Sequence, residues 1–288
     1  MPTSVLAQDA SIIRTDSNAW VNECKTCHPV YQELARKTGI QTEQYLFNFV
    51  YEHTNKERHA SSWRPPKSKT VRRIMRFAHI ADTHIRNLKY HFEYKEVFKQ
   101  MYKKLREQNV DCIIHCGDIA HTKTQLSPEF VEMATDFFRN LGDIAPTYII
   151  LGNHDGNLKN SNRQDAITPI VEAMSHPSVH LLKESGETIL NDSFALNVLS
   201  VFDTDNWVEP SNYDRVNIAL YHGSISGCQT DIGWTMEFGE HDISIFNDFD
   251  YAFLGDIHKT NQILDKQGKI RYAGSTVQQN FGETDDKG

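Results

Sequence analysis

The chain has 288 residues, of which 39% are hydrophobic and 24% are charged, and its formal net charge is −8. This length and composition are typical of a globular protein with one large α/β domain and a small appendage. Because no apolar run approaches the ~20 residues of a membrane helix, and the N-terminus does not resemble a secretory signal, we expect a cytoplasmic protein that does not associate with membranes.

Residues 1–60 predict a small helical appendage. Two short helical segments flank a glycine turn within residues 30–53, an arrangement that fits a helix-turn-helix or a helical hairpin that packs for stability. Residues 1–73 carry 11 Lys and Arg against 7 Asp and Glu, whereas the rest of the chain carries 19 against 31. The basic balance of the appendage is compatible with DNA binding, and both interpretations stay open.

The appendage also contains the only closely spaced cysteine pair, Cys24 and Cys27. Together with His28, His53 or His59 this pair could form an additional zinc site. The gap from Cys27 to His53 is longer than the usual spacing of zinc fingers, and no second cysteine pair follows. Zinc binding here is therefore a secondary hypothesis.

A basic linker is predicted over residues 61–73, and a regular alternation of elements follows it. Ser127 is placed to cap the second predicted helix. The alternation is typical of parallel strands joined by right-handed crossovers. In chain order it consists of a strand (74–82), a helix (93–108), a strand (111–118), a helix (127–141) and a strand (147–155).

The second half of the chain is richer in strands, which predicts a β sandwich with flanking helices. The strand-like segments are residues 179–185, 193–202, 216–223, 251–258 and 270–275. We interpret residues 74–288 as one domain. The sequence stops at Gly288 with no closing element, so further regions of the protein are expected to be missing.

Polar residues with metal-binding chemistry follow five of the predicted strands. The carboxyl ends of strands in an open α/β sheet are where ligands bind. A pair of divalent ions ~3.5–4 Å apart can clamp a phosphoester, and such a site needs a carboxylate that bridges both ions. Mixed nitrogen and oxygen ligands suit Mn, Fe or Zn. The residues are Asp82, His84, Asp118, Asn153, His154, His222, Asp256 and His258.

The order of these motifs resembles the calcineurin-like metallophosphoesterase superfamily. The motifs are Asp82-Thr-His84, Gly117-Asp118, Gly152-Asn153-His154-Asp155, His222-Gly223 and Gly255-Asp256-Ile-His258. The resemblance implies the fold of that superfamily, a four-layer β sandwich flanked by helices, and two bound divalent ions. Mn is the expected ion, with Mg, Fe or Zn as alternatives.

The resemblance also implies a role for each residue. Asp82, His84 and His258 would hold the first ion, Asp118 would bridge, and Asn153, His222 and Asp256 would hold the second. A hydroxide held by the ions would attack phosphorus, and His154 would protonate the leaving oxygen, a role that suits an imidazole because it titrates near neutral pH.

One position departs from the superfamily pattern. A histidine is usual where this chain has Asp256. Because a carboxylate binds Mn or Mg, we expect a working site with altered metal preference. The alternative is a second ion that is weakly held.

Within the superfamily the chain looks most like the SbcD-type nucleases of double-strand-break repair. His121 follows the Gly117-Asp118 motif at the position that family shows, and the segment Tyr272-Ala-Gly274-Ser275 is similar to one near the end of its phosphoesterase domain. The resemblance implies a DNA endo- and exonuclease that forms a homodimer and binds an SbcC-like ATPase. His121 would contact substrate, or it is a solvated loop residue, and both interpretations stay open. The regions that cap DNA and bind the ATPase would lie beyond this sequence.

Two other functions stay open. The acidic balance of residues 74–288 favours a phosphodiesterase or phosphatase that acts on a small nucleotide or a phosphoprotein, because DNA phosphates attract Lys and Arg. A non-catalytic module is the third interpretation, and the presence of His154, which folding does not require, counts against it.

Overall fold

The computed structural model describes residues 75–124, 126–160 and 162–283. The predicted appendage (1–60), the linker (61–73) and the pair Cys24 and Cys27 lie outside the described residues. Among the described residues, no helix is both long enough and apolar enough to span a membrane.

The first sheet has four parallel strands, ordered as they occur in the chain. They are β1 (Phe77–Ile80), β2 (Cys112–Cys116), β3 (Thr147–Ile150) and β4 (Val179–Leu181). Three helices connect them: α1 (His91–Glu107), α2 (Pro128–Gly142) and α3 (Thr168–Met174). The predicted βαβαβ order with parallel strands is thus confirmed.

Helix α2 begins where the sequence predicted. The Oγ of Ser127 accepts a hydrogen bond of 3.1 Å from the backbone N–H of Phe130, and Pro128 occupies the first turn. Both features suit a helix start. The cap gives a hydrogen-bond acceptor to an N–H group that would otherwise have none, and proline has no N–H group that needs an acceptor.

The second sheet has five strands, and only its first pair is antiparallel. The strands are β5 (Gly186–Asn191), β6 (Phe194–Leu199), β7 (Val216–His222), β8 (Tyr251–Gly255) and β9 (Ile270–Tyr272). Two short 3₁₀ helices accompany this sheet, at Thr204–Asn206 and Ile243–Phe246.

The two sheets pack face to face and form the sandwich. Ile114 of β2, Ile150 of β3 and Leu220 of β7 belong to the apolar layer between them. Helices α1 and α2 cover the outer face of the first sheet, with Phe98 and Phe137 in contact at 4.5 Å between ring centroids. On the outer face of the second sheet, the described residues place a 3₁₀ helix and loops rather than an α-helix.

One strand, β5, and one α-helix, α3, were not predicted. Strand β5 lies at a sheet edge and is half-buried along most of its length, so it lacks the apolar alternation that marks a strand. Helix α3 has only seven residues, too few to display a helical period. The predicted strand 179–185 is shorter in the structure, and it joins the first sheet as β4.

Candidate metal centre

Five loops meet at one rim of the sandwich, each at the carboxyl end of a strand. The loops follow β1, β2 and β3 of the first sheet and β7 and β8 of the second. All seven predicted metal ligands lie on these loops or at the strand ends, and the structure brings them together.

The first group consists of Asp82, His84 and His258, whose candidate ligand atoms all lie within 4.8 Å of one another. The Nε2 atom of His84 lies 3.1 Å from Nε2 of His258 and 3.9 Å from Oδ1 of Asp82. This is the set predicted for the first ion.

The second group lies beside the first. Nε2 of His222 is 3.8 Å from Oδ1 of Asp256, and the Asn153 side-chain amide donates a 3.3 Å hydrogen bond to that same oxygen. Asp256 therefore lies next to both other members of the second predicted set.

Asp118 lies between the two groups, with one carboxylate oxygen facing each. Its Oδ2 is 3.5 Å from Nε2 of His84, and its Oδ1 is 3.4 Å from Nε2 of His222. A carboxylate in this position has the geometry of a bridging ligand.

Unusual backbone conformations aim these side chains. Four of the eight described non-glycine residues with positive φ are predicted ligands: Asp82 (52°), His84 (47°), Asp118 (57°) and Asp256 (92°). Such conformations cost energy and cluster at functional sites, where the surrounding structure enforces them. Gly117, with φ of 86°, permits the close packing behind Asp118, since a Cβ there would lie 2.6 Å from Nδ1 of His222.

The hydrogen bonds around the histidines leave ligand atoms free to face the centre. Nδ1 of His222 donates to the backbone carbonyl of Cys116 at 2.7 Å, so in the neutral ring the lone pair that can bind a metal is on Nε2. That Nε2 and Oδ1 of Asn153 are buried, and among the described residues neither has a hydrogen-bond partner. Buried polar atoms are normally satisfied, so these two atoms fit the ligand sphere of a cation.

The electrostatics of the cluster also favour bound cations. Burial raises the pKa of Asp82 to about 8, and the neighbouring carboxylates of Asp118 and Asp256 act in the same direction. Burial lowers the pKa of His84 to about 3, which keeps its imidazole neutral and able to bind a metal. Carboxylates crowded in a buried site are stabilised by positive charge, which divalent ions would supply.

Asp155, which the motif contained but to which sequence reasoning gave no role, ties two of the loops together. Its buried carboxylate accepts 2.8 Å hydrogen bonds from the backbone N–H groups of Asp118 and Ala120, and one of 2.9 Å from Gly152. Asp155 therefore fixes the loop after β2 against the loop after β3.

His154 lies at the edge of the centre and is exposed to solvent. Its backbone N–H donates to Oδ1 of Asp118 at 2.8 Å, and its Nδ1 donates to the carbonyl oxygen of His121, also at 2.8 Å. The ring of His121 lies 6.1 Å from that of His154 and 5.7 Å from that of His84. Both residues predicted to contact substrate thus lie beside the ligand cluster.

Sequence reasoning missed two residues of this region, Glu283 and Arg86. Glu283 is buried and accepts a 2.7 Å hydrogen bond from Nδ1 of His258, which turns Nε2 of that ring toward the centre. Arg86 donates to Nε2 of His121 at 3.0 Å. Neither residue ends a strand, so the pattern that revealed the ligands contained no signal for them.

Several known proteins are similar to this chain. Residues 75–260 match the family model of the calcineurin-like phosphoesterases. A protein of Acanthamoeba polyphaga mimivirus, "Uncharacterized protein R555", is 39% identical over 220 residues, which cover 72% of this chain and 16% of that protein. "Putative phosphoesterase 244L" of Invertebrate iridescent virus 6 is 26% identical over 210 residues, 67% of this chain and 68% of the viral protein.

A solved structure, nuclease MPE of Pseudomonas putida, is similar over 51% of this chain and 60% of that one, with 18% identity and a TM-score of 0.29. The family match covers well over half of the chain, so the chain belongs to the calcineurin-like phosphoesterases, hydrolases that use divalent metals to cleave phosphoester bonds. It spans about a sixth of the length of the mimivirus relative.

Proposed function

We propose that this chain is a two-metal phosphodiesterase that cleaves DNA, as the nuclease subunit of an SbcCD-like recombination and repair complex. The observation that carries the hydrolytic part is Asp118, with one oxygen toward each of two ligand groups. Divalent ions bound there would supply an acidified water and stabilise charge on the phosphoryl oxygens. Mn fits the mixture of imidazole and carboxylate ligands.

His154 is proposed as the general acid. Because its Nδ1 donates to the carbonyl of His121, its Nε2 is directed away from that loop and is free for a substrate atom. The exposure of the ring makes it reachable by substrate. A proton on Nε2 would pass to the departing sugar oxygen, and a positioned acid of this kind typically contributes ~10²–10⁴-fold to the rate.

The choice of DNA rests on the resemblance to the SbcD-type nucleases, and one observation supports it. His121, the residue in which the second motif resembles that family, lies beside both His154 and His84. It is therefore placed where a substrate held at the centre would reach it.

A small nucleotide or a phosphoprotein is the alternative substrate. The observation that favours it is the acidic balance of residues 74–288, which carry 19 Lys and Arg against 31 Asp and Glu, since a DNA backbone is attracted to basic surfaces.

Cleavage of labelled DNA tests the proposal. Linear duplex and hairpin DNA would be incubated with the protein and Mn, with EDTA, and with His154→Ala in place of the wild type. We expect cleavage that EDTA abolishes and that the variant loses while it stays folded. Turnover of bis-p-nitrophenyl phosphate without cleavage of any DNA would instead favour the small-substrate alternative.

The resemblance to the SbcD-type nucleases is also the basis for two proposed partners. These are a second copy of this chain, in a homodimer, and an SbcC-like ATPase. Light scattering of the protein at micromolar concentration tests the homodimer, and a mass of 33.1 kDa, that of one chain, would count against it. Co-purification of an SbcC-like ATPase with the tagged chain from its host tests the second partner, and recovery of the chain without such an ATPase would count against it.

A further inference from the structure

Arg86 lies next to the metal centre and takes no part in it. It is two residues beyond His84, on the loop that follows β1. Its Nη1 donates to Nε2 of His121 at 3.0 Å, and its Nη2 donates to the backbone carbonyl of Gln279 at 3.3 Å. The guanidinium is therefore fixed beside a ring that is itself 6.1 Å from the ring of His154.

The charge of Arg86 is not neutralised by a carboxylate. Within residues 75–124, 126–160 and 162–283, none of the ion pairs includes it. Its hydrogen bonds go to an imidazole, a backbone carbonyl, the side-chain oxygen of Gln279 at 3.5 Å, and the hydroxyl of Tyr94. A guanidinium has five N–H donors, so some remain for a ligand. An unpaired arginine at the rim of an acidic domain is suited to bind an anion.

The structure also holds Arg86 in a defined orientation. Its guanidinium lies over the ring of Tyr90, 5.7 Å from the centroid. Tyr90 precedes α1 in a left-handed conformation, with φ of 64°, which a bulky side chain rarely adopts. Together with Gln279, this stack restricts the long arginine side chain before any ligand arrives, which lowers the entropy cost of binding.

The position of Arg86 indicates which anion it would bind. The scissile phosphate of the proposed reaction would lie between Asp118 and His154, where the ligand groups and the proposed acid meet. Arg86 contacts the ring of His121, which lies 5.7 Å from the ring of His84 and 6.1 Å from that of His154. A phosphate next to the scissile one, on the side of His121, would therefore come within reach of Arg86.

We propose that Arg86, oriented by Tyr90 and Gln279, forms a subsite for the phosphate next to the scissile one. The inference rests on the proposed function and narrows its substrate class to oligonucleotides with at least two backbone phosphates. Arginine suits this task, because its planar fork binds two phosphate oxygens at once. A substrate with one phosphodiester would leave the subsite empty.

Binding of a fluorescein-labelled single-stranded decanucleotide, followed by anisotropy over a series of salt concentrations, tests the subsite. All variants would carry His154→Ala in the presence of Mn, so that cleavage is slow. Arg86→Gln should weaken binding about tenfold and reduce the slope of log affinity against log salt by about 0.7, as expected for one lost phosphate contact to a single strand. Arg86→Lys should keep that slope, because it keeps the charge.

Arg271→Gln is the matched control. Arg271 is an exposed arginine on β9 whose guanidinium donates to the carbonyl of Gly268. Its replacement should leave affinity and slope unchanged. Equal affinity and slope for Arg86→Gln and its parent, with both folded, would overturn the subsite.

Kinetics with His154 intact separate this inference from the proposed function. Arg86→Gln should lower kcat/KM for the oligonucleotide about tenfold more than for bis-p-nitrophenyl phosphate, mainly through KM. Equal losses on both substrates would overturn the subsite and leave the nuclease standing. If the wild type hydrolyses the small ester but does not bind the oligonucleotide and cleaves no DNA, whether single-stranded, duplex or hairpin, the nuclease proposal and the subsite both fail.

Discussion

Replacing Glu283 by glutamine is expected to perturb metal binding although none of the predicted ligands is replaced. Oε1 of Glu283 accepts from Nδ1 of His258 at 2.7 Å and from the side-chain amide of Asn280 at 2.9 Å. Oε2 accepts from Oγ of Ser275 at 2.8 Å and from the backbone N–H of Gln279 at 3.0 Å. Four donors thus surround one carboxylate that is 4% exposed.

Glutamine cannot satisfy these four donors. Its side chain ends in one oxygen and one NH₂ group. The NH₂ group would face either the donors of His258 and Asn280 or those of Ser275 and Gln279, and a donor cannot accept their hydrogen bonds. Loss of such a partner to a metal-binding histidine typically weakens metal affinity by ~10–100-fold. We expect Glu283→Gln to weaken the binding of Mn to the chelator-stripped protein by an amount in that range.

Isothermal titration with Mn measures this effect directly and does not depend on catalysis. Glu172→Gln, at an exposed position on α3, is the matched control and should bind Mn as the wild type does. Thermal unfolding in EDTA shows whether Glu283→Gln is folded. A folded Glu283→Gln protein with wild-type Mn affinity would refute the role given to Glu283.

Three further substitutions give distinct expected results. Asp256→His supplies the imidazole usual in the family, so the ratio of activity with Zn to activity with Mn should rise; an unchanged ratio would mean that this side chain does not bind the second ion. His154→Ala should lower kcat by ~10²–10⁴-fold with Mn binding intact by titration, and a variant that instead loses Mn would contradict its assignment as a non-ligand. Burial lowers the pKa of His79 from 6.5 to about 3. Between these two pH values the unfolded chain carries a proton on this side chain that the folded chain lacks, so the free energy of unfolding falls as the pH drops through 6.5. Denaturant unfolding at pH 7.5 and 5.5 should therefore show about 1.4 kcal/mol less pH dependence for His79→Gln than for the wild type, whereas the exposed His180→Gln should match the wild type.

The sequence was sufficient to predict that the ligand residues lie together, because each of them is marked by the apolar strand directly before it. Each predicted ligand comes at the end of an apolar strand, and parallel strands bring such ends to one edge of the sheet. Asp82 and Asp118 could therefore be placed together although 36 residues separate them. That these side chains bind metal stays a prediction, which their geometry supports.

The start of α2 could be predicted for a similar reason. The cap depends on Ser127 and the residues directly after it, and the hydrogen bond to the N–H of Phe130 spans three residues. Strand β5 has no comparable local signal, because it is paired on one side only and much of it is half-buried. Its position is determined by β6, with which it pairs.

The residues that surround the ligands depend on contacts that no sequence pattern records. Arg86 meets His121 across 35 residues and Gln279 across 193, and Glu283 meets His258 across 25. In the sequence, Arg86 and Glu283 look like ordinary surface residues, because a charged side chain in a loop is common at protein surfaces. Only the folded chain shows that Arg86 lies beside His121 and that Glu283 is buried behind the predicted ligand His258.

Crystals grown with Mn, with diffraction recorded at a wavelength where manganese scatters anomalously, test the central claim most directly. The two-ion arrangement predicts two anomalous peaks ~3.5–4 Å apart, one on each side of the Asp118 carboxylate. The first would lie against His84 and His258, and the second against His222 and Asp256. A single peak, or no peak among these residues, would contradict the two-metal centre on which the proposed hydrolysis depends.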